Sequence, residues 1–131
     1  MLIRNALTVD VEDYFQVSAF AANIEQHEWD ELPLRVEDNT HKLLDLFDEY
    51  QVKATFFILG WVAERQRELV LEIARRGHEV ACHGYSHQLV YNQTPEVFQQ
   101  ETVRAKSILE DIIQQPVLGY RAASYLSLIH I

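Results

Sequence analysis

Apolar and polar positions along this chain follow two rhythms. Ala6-Leu-Thr-Val-Asp10 is a short β-prone run ending in acids, which predicts a first strand. Val36, Thr40, Leu43, Leu44 and Phe47 recur at helical spacing and predict an amphipathic helix reaching Tyr50. Lys53-Ala-Thr-Phe-Phe-Ile-Leu-Gly60 is a compact β-branched and aromatic run closed by glycine, the pattern of a buried strand. Val62, Leu69, Val70, Ile73 and Ala74 mark a second helix, stopped by Arg75-Arg76-Gly77. Glu79-Val-Ala-Cys82 reads as a third strand. Thr94 and Pro95 are an N-cap and a first-turn proline, opening a helix whose buried face is Phe98, Thr102, Ala105, Leu109 and Ile112. Pro116 to Tyr120 predicts a fourth strand.

Between the first strand and the first helix, residues 14–34 show no clean period but carry Tyr14, Phe15, Phe20 and Trp29. They read as a long loop with one helical turn. Its aromatics point to a packed or substrate-facing loop, because loops of this length are usually functional or disordered. The order β, loop, α, β, α, β, α, β implies parallel strands joined by right-handed helical crossovers. In such folds the chemistry gathers at the C-terminal ends of the strands.

Composition narrows the classes. The 131 residues suffice for one compact domain, and 48% apolar against 24% charged residues is the profile of a folded domain. A net charge of −9 disfavours nucleic acid and anionic membrane surfaces as partners. A single cysteine, Cys82, excludes an internal disulfide framework and any multi-cysteine metal site. Arg4, Asn5 and Asp10 interrupt the N-terminal apolar run, and no stretch approaches the ~20 apolar residues of a membrane span, so the expected location is cytoplasmic. There is no internal repeat and no low-complexity segment.

The residues just past each predicted strand carry the candidate chemistry. Asp10, Glu12 and Asp13 follow the first, Gly60 and Trp61 the second, His83-Gly-Tyr-Ser-His87 the third, and Arg121 the fourth. His83 and His87 are spaced to lie on one face of a single helical turn, within reach of one cation. A carboxylate of the acidic cluster completes a site of two imidazoles and one carboxylate with open positions. A second carboxylate, kept off the metal, can act as general base toward water. Arg121 can orient that base or a substrate oxygen. Trp29 and Trp61 can stack on sugar rings or simply pack. Cys82, on a buried strand, reads as a small core residue. His27, His41 and His78 have no motif partner and read as bland.

These motifs resemble those of a known family, the NodB-homology polysaccharide deacetylases of carbohydrate esterase family 4. Thr8-Val-Asp10-Val-Glu12-Asp13 resembles the first motif, usually Thr-Phe-Asp-Asp. His83-Gly-Tyr-Ser-His87 resembles the second, His-(Ser/Thr)-x-x-His, and Gly119-Tyr-Arg121-Ala-Ala-Ser-Tyr125 the third, Arg-x-Pro-(Phe/Tyr). The run from Lys53 to Gly60 resembles the family's second strand. Among its branches, the chain looks closest to the peptidoglycan deacetylase and allantoinase-like members, within the set associated with exopolysaccharide loci.

The resemblance implies an α/β fold: a partial, distorted (β/α) barrel, TIM-like, with about four parallel strands and crossover helices. It implies metal-dependent hydrolysis of N-acetyl groups on the amino sugars of a polysaccharide. By the same resemblance Asp10 matches the catalytic base, and Glu12, His83 and His87 match the ligands of a divalent metal, zinc. Asp13 stands as the alternative third ligand, because one residue is inserted relative to Asp-Asp. Arg121 matches the arginine that orients the base. Tyr125 falls near the position whose backbone N–H binds the oxyanion, and Trp61 joins it as a substrate-side residue. Ala123 departs from the usual proline of the third motif. The later motif Leu-x-His, source of the general acid, has only a superficial echo in Leu128-Ile129-His130. Residues 1–125 are therefore expected to be the N-terminal part of such a domain, inactive by itself, with 126–131 a non-native or truncated tail. Two other readings remain: a metal-free, allantoinase-like cyclic amide hydrolase, and a non-catalytic carbohydrate-binding remnant.

Overall fold

The computed structural model describes Ile3 and residues 5–125 of the chain. The tail expected over 126–131, with His130, lies outside the described residues. Three parallel strands, β1 (Thr8–Val11), β2 (Thr55–Ile58) and β3 (Glu79–Cys82), form one sheet in the order β1-β2-β3. β2 lies in the centre, with Asp10 opposite Phe57 and Ile58 opposite Cys82. Helix α1 (Val36–Glu49) connects β1 to β2, helices α2 (Gly60–Arg65) and α3 (Arg67–Arg75) connect β2 to β3, and α4 (Pro95–Ile113) follows β3. These crossovers are what parallel strands require. No helix among the described residues is long and apolar enough to cross a membrane.

Four elements differ from the sequence expectation. The fourth strand is reduced to a single parallel bridge between Cys82 and Tyr120, flanked by Cys82 N donating to Gly119 O (2.8 Å) and Arg121 N donating to Cys82 O (2.9 Å). Pro116 has no N–H to give a ladder. The segment reaches β3 only where Gly119 allows it, since a Cβ there would sit 3.0 Å from that of Ala81. The second helix is two helices, broken at Gln66 (φ −124°, ψ 52°). The loop after β1 forms three 3-10 turns, Tyr14–Gln16, Ser18–Phe20 and Gln26–Glu31, rather than one helical turn.

Trp61 supplies the fourth difference. Expected to face substrate, it is instead 3% exposed. Phe15, Trp29 and Trp61 pack ring against ring at 5.4–6.0 Å between centroids. Arg65 covers the outer face of Trp61 at 3.8 Å. Burying each such ring contributes roughly 1.5–3 kcal/mol, so the long loop is anchored to the core by its aromatics. Trp61 is a packing residue.

Local chemistry explains the helix starts. Thr94 Oγ1 accepts from Val97 N (3.3 Å) and Pro95 begins α4, as the sequence predicts. The N-cap residue of α1, Arg35, offers no side-chain cap; Asp13 does it from a distance. Its Oδ2 accepts from Arg35 N (2.7 Å) and Val36 N (3.0 Å). A carboxylate at a helix N-terminus meets both unpaired N–H groups and the positive end of the dipole. At the start of α2, Gly60 is required by packing: a Cβ would lie 2.7 Å from the Tyr85 ring and 2.9 Å from the Ala105 Cβ on α4.

Candidate active site

At the end of β1 the extended backbone alternates its side chains. Val11 enters the core at 1% exposure, while Asp10 and Glu12, two apart, remain partly accessible on the other side. Asp13 turns back to cap α1, and its second oxygen accepts from Tyr14 N (2.9 Å). Asp13, the alternative ligand, is thus not brought to the imidazoles.

At the end of β3, His83 N donates to Ile58 O (3.0 Å) and extends the ladder by one bond. The chain then leaves the sheet through Gly84 (φ 77°), Tyr85, Ser86 and His87 (φ 55°). The His83–His87 spacing predicts one helical turn, and the backbone there is irregular instead. The two imidazoles do meet, with ring centroids 5.3 Å apart. They meet across an irregular loop with two left-handed residues, not on a helical turn. The loop is held from α2, whose first N–H groups donate from Gly60 to Gly84 O (2.9 Å) and from Trp61 to Tyr85 O (3.1 Å). Tyr85 Oη donates to Glu64 on the same helix (2.7 Å).

Glu12 Oε2 lies 2.8 Å from His87 Nε2 and 3.8 Å from His83 Nε2. One donor atom from each of Glu12, His83 and His87 falls within 4.8 Å of the others. Both Glu12 Oε2 and His83 Nε2 are buried, and neither has a hydrogen-bond partner among the described residues. Buried polar atoms left unpaired are costly, and here they converge on a point where one cation would satisfy them together. His83 Nδ1 is 2.8 Å from Arg121 O. That carbonyl can only accept, so Nδ1 carries a proton and Nε2 presents its lone pair inward, the orientation a metal-binding imidazole needs. Burial also holds His83 below its usual pKa, despite the Arg121 carbonyl and the nearby Asp10 and Glu12. The donor set therefore fits a divalent cation.

Arg121 connects the two halves of the site. Its Nη1 donates to Asp10 Oδ1 (2.6 Å), its Nη2 to Thr8 Oγ1 (2.8 Å), and its guanidinium lies 4.0 Å over the Phe57 ring. One residue thereby holds the acid at the end of β1 by its side chain and the imidazole at the end of β3 by its carbonyl. Asp10, Glu12, His83 and His87 share the wall of one cavity of about 290 Å³. Val17, Ser18, Ala19 and Ser124 complete it, and Ser18 and Ser124 share a hydrogen bond of 2.6 Å between their hydroxyls. Ser124 falls within the third motif, but no sequence signal singled out Val17, Ser18 and Ala19, which belong to no spaced pattern. Ser124 is left-handed (φ 56°) in the turn Ala123–Tyr125, so Tyr125 directly follows a wall residue in the chain. Cys82 is buried at 2% exposure, and burial raises its thiol pKa, so it stays a protonated core residue.

Comparison with known proteins bears on this geometry. A family model described as polysaccharide deacetylase matches residues 27–125. The chain is 28% identical over 88 residues to a peptidoglycan-N-acetylglucosamine deacetylase of Bacillus cereus, a match covering 67% of this chain and 41% of that relative. It is 37% identical over 83 residues to a peptidoglycan deacetylase of Helicobacter pylori, covering 62% of this chain and 28% of the relative. The chain thus spans less than half the length of these relatives. Among solved structures, a peptidoglycan N-acetylglucosamine deacetylase superposes with a TM-score of 0.72 at 26% identity, over 94% of this chain and 47% of that one. A Bacillus anthracis protein described as a CE4 family pseudoenzyme superposes at 0.70 over 91% of this chain and 34% of that one. At 18% identity this last likeness speaks for the fold alone.

Proposed function

This chain belongs to the polysaccharide deacetylase family, and on that premise we propose that its site hydrolyses N-acetyl groups on the amino sugars of a polysaccharide with one divalent cation, zinc. The observation that carries the proposal is the convergence of Glu12, His83 and His87 donor atoms within 4.8 Å, with the Glu12 and His83 atoms otherwise unpartnered. Those three residues would hold the ion. When bound, it polarises the amide carbonyl and lowers the pKa of water.

The rest falls to the chain itself. Asp10 lines the same cavity but stands outside the ligand group, so its carboxylate is free to act as a general base toward water. Arg121 fixes which Asp10 oxygen faces the cavity by occupying Oδ1, and Thr8 fixes the guanidinium in turn. The backbone N–H of Tyr125 is the candidate oxyanion donor, at the end of the turn that carries Ser124 into the wall. Among the described residues no third imidazole lines this cavity. The described site is therefore better equipped for attack on the amide than for protonating the departing amine.

Two measurements on the same preparation test the proposal: zinc binding by calorimetry, and acetate release from an N-acetylated chito-oligosaccharide. The expected result is one zinc per chain and slow, zinc-dependent acetate release in place of the inactivity expected from the sequence, because Asp10, the three candidate ligands and Arg121 are all brought together in the described site. Amide hydrolysis without bound metal would turn the reading to the allantoinase-like chemistry. Oligosaccharide binding with no acetate released, at full zinc occupancy, would turn it to a non-catalytic binding role.

A further inference from the structure

The two imidazoles at the site are held by different means. His83 is fastened twice, through its backbone N–H to Ile58 O and through Nδ1 at 2.8 Å from Arg121 O. His87 has neither support. Its Nδ1 is buried with no hydrogen-bond partner among the described residues. Its backbone is left-handed at φ 55°, a conformation a non-glycine residue keeps only where its surroundings impose it. Something adjacent must hold His87 where its Nε2 lies 2.8 Å from Glu12.

The neighbouring hydrogen bonds identify it. Up to Tyr85 the loop is tied to α2 by its carbonyls and by the Tyr85 hydroxyl. From 86 to 93, the hydrogen bonds reaching the rest of the fold among the described residues are two, and both end on one carboxylate. Ser86 Oγ donates to Glu101 Oε1 (2.7 Å), and Gln93 Nε2 donates to Glu101 Oε2 (2.6 Å). Ser86, directly before His87, is 4% exposed, so its hydroxyl has no ready replacement in bulk water. Glu101 sits on α4, whose N-terminus is capped by Thr94 and whose Ala105 packs against Gly60. Both oxygens of a residue on a rigid helix therefore clamp the segment on either side of His87.

We infer that Glu101 is a positioning residue for the metal ligand His87, acting through the Ser86 hydroxyl; this rests on the metal reading of the site. The carboxylate belongs neither to the candidate ligand group nor to the lining of the 290 Å³ cavity. It sets the backbone conformation from which the imidazole is presented.

The test is zinc affinity of the whole chain, by competition with a chromophoric chelator, for the wild type, Glu101→Ala, Glu101→Gln, Ser86→Ala and Asp111→Ala. Loss of an outer support of a metal ligand typically weakens binding about 10–100-fold, and that is the effect expected for Glu101→Ala. Glu101→Gln keeps an oxygen for the Ser86 hydroxyl and should recover most of the affinity. Ser86→Ala should weaken binding and add little once Glu101 is already alanine. Asp111→Ala, on the same helix as Glu101 but breaking an exposed ion pair with Arg67 of α3, should leave affinity unchanged. The visible spectrum of the cobalt-substituted chain should change in Glu101→Ala and not in Asp111→Ala. Zinc affinity in Glu101→Ala within about twofold of a zinc-binding wild type would overturn this inference alone. A wild type that binds no zinc would overturn it together with the metal reading. If Glu101→Ala does not fold, Ser86→Ala decides: weakened binding supports the clamp, unchanged binding overturns it.

Discussion

His78 and His83 stand at opposite ends of β3, both buried, at 6% and 2% exposure. At the N-terminal end, His78 packs between Phe47 and Phe56, with centroids 5.9 and 5.0 Å away. Its Nδ1 accepts from Ala54 N (3.2 Å), which joins the start of β2 to the start of β3. Burial pushes its pKa down, and the cations Lys53 and Arg76 add to that push. At the C-terminal end, His83 meets Glu12, His87 and the carbonyl of Arg121 instead. Residue type, strand and burial are shared, so none of them marks an imidazole as a candidate ligand. Strand direction and a converging carboxylate do. Parallel strands bring their C-terminal ends together at one rim, where loops supply functional groups, while the opposite rim closes with packing.

The sharpest way to break this comparison is to remove the carboxylate. Glu12→Ala should abolish zinc binding by calorimetry, an effect beyond the about 10–100-fold that follows loss of an outer support. His78→Phe should leave zinc binding unchanged. Equal losses in the two variants would mean that burial, not the convergence on Glu12, determines the site. Next in size is the division between the two acids after β1. Asp10→Asn should retain zinc and lose acetate release by about 10²–10⁴-fold, the usual contribution of a general base. Loss of zinc in Asp10→Asn with retention in Glu12→Ala would reverse the two roles.

Much of this comparison is readable in the sequence. The segment from Glu79 to His83 announces a strand followed by chemistry, and His78 lacks any spaced partner, which is why it reads as bland. That the strands run parallel follows from alternating strand and helix patterns, while their order β1-β2-β3 is seen only in the structure. Other features are hidden because they depend on contacts between segments distant in sequence. Asp13 looks like a third ligand until its carboxylate is seen capping α1, 22 residues away. Trp61 looks like a sugar platform until Phe15 and Trp29 fold over it. Pro116 to Tyr120 has a strand's composition, but a strand needs a partner along its length, and only Tyr120 bridges to β3. Glu101 gives no signal at all, since a glutamate on a helix is the commonest kind of solvated residue.

A third, smaller effect separates the two histidines by stability. Replacing His78 with phenylalanine keeps an aromatic ring between Phe47 and Phe56 but removes the acceptor of the Ala54 N–H. A buried donor left unpaired costs about 1–3 kcal/mol. Urea unfolding of metal-free His78→Phe should show a loss of that size. His83→Ala should show its main loss only when zinc is present, because its structural bond, to Arg121 O, lies beside a cavity already open to water. Similar zinc-independent losses in both variants would make His83 a structural residue like His78.

The smallest expected effect concerns pH, and here the two histidines should behave alike. Both have folded-state pKa values below that of an ordinary imidazole, in each case chiefly through burial. In the unfolded chain they protonate near the usual value of about 6.5. As pH falls through that value the unfolded state takes up protons before the folded state does, so the unfolded state is favoured. The stability tied to their neutral forms is thus fully present above about pH 6.5 and is lost as pH falls toward the depressed folded values. The urea midpoint of the metal-free wild type should therefore decline as pH drops below neutrality, before carboxylate titration sets in near pH 4. His78→Phe should flatten part of that slope, and His83→Gln another part. Zinc should instead extend the His83 share of the slope toward lower pH, since a ligated imidazole takes up no proton in the folded state while the unfolded chain still does. If zinc extended the slope of His83→Gln as much as that of the wild type and left His78→Phe unchanged, the His78 end of the sheet would be the metal-linked one, and the assignment of the two rims would be inverted.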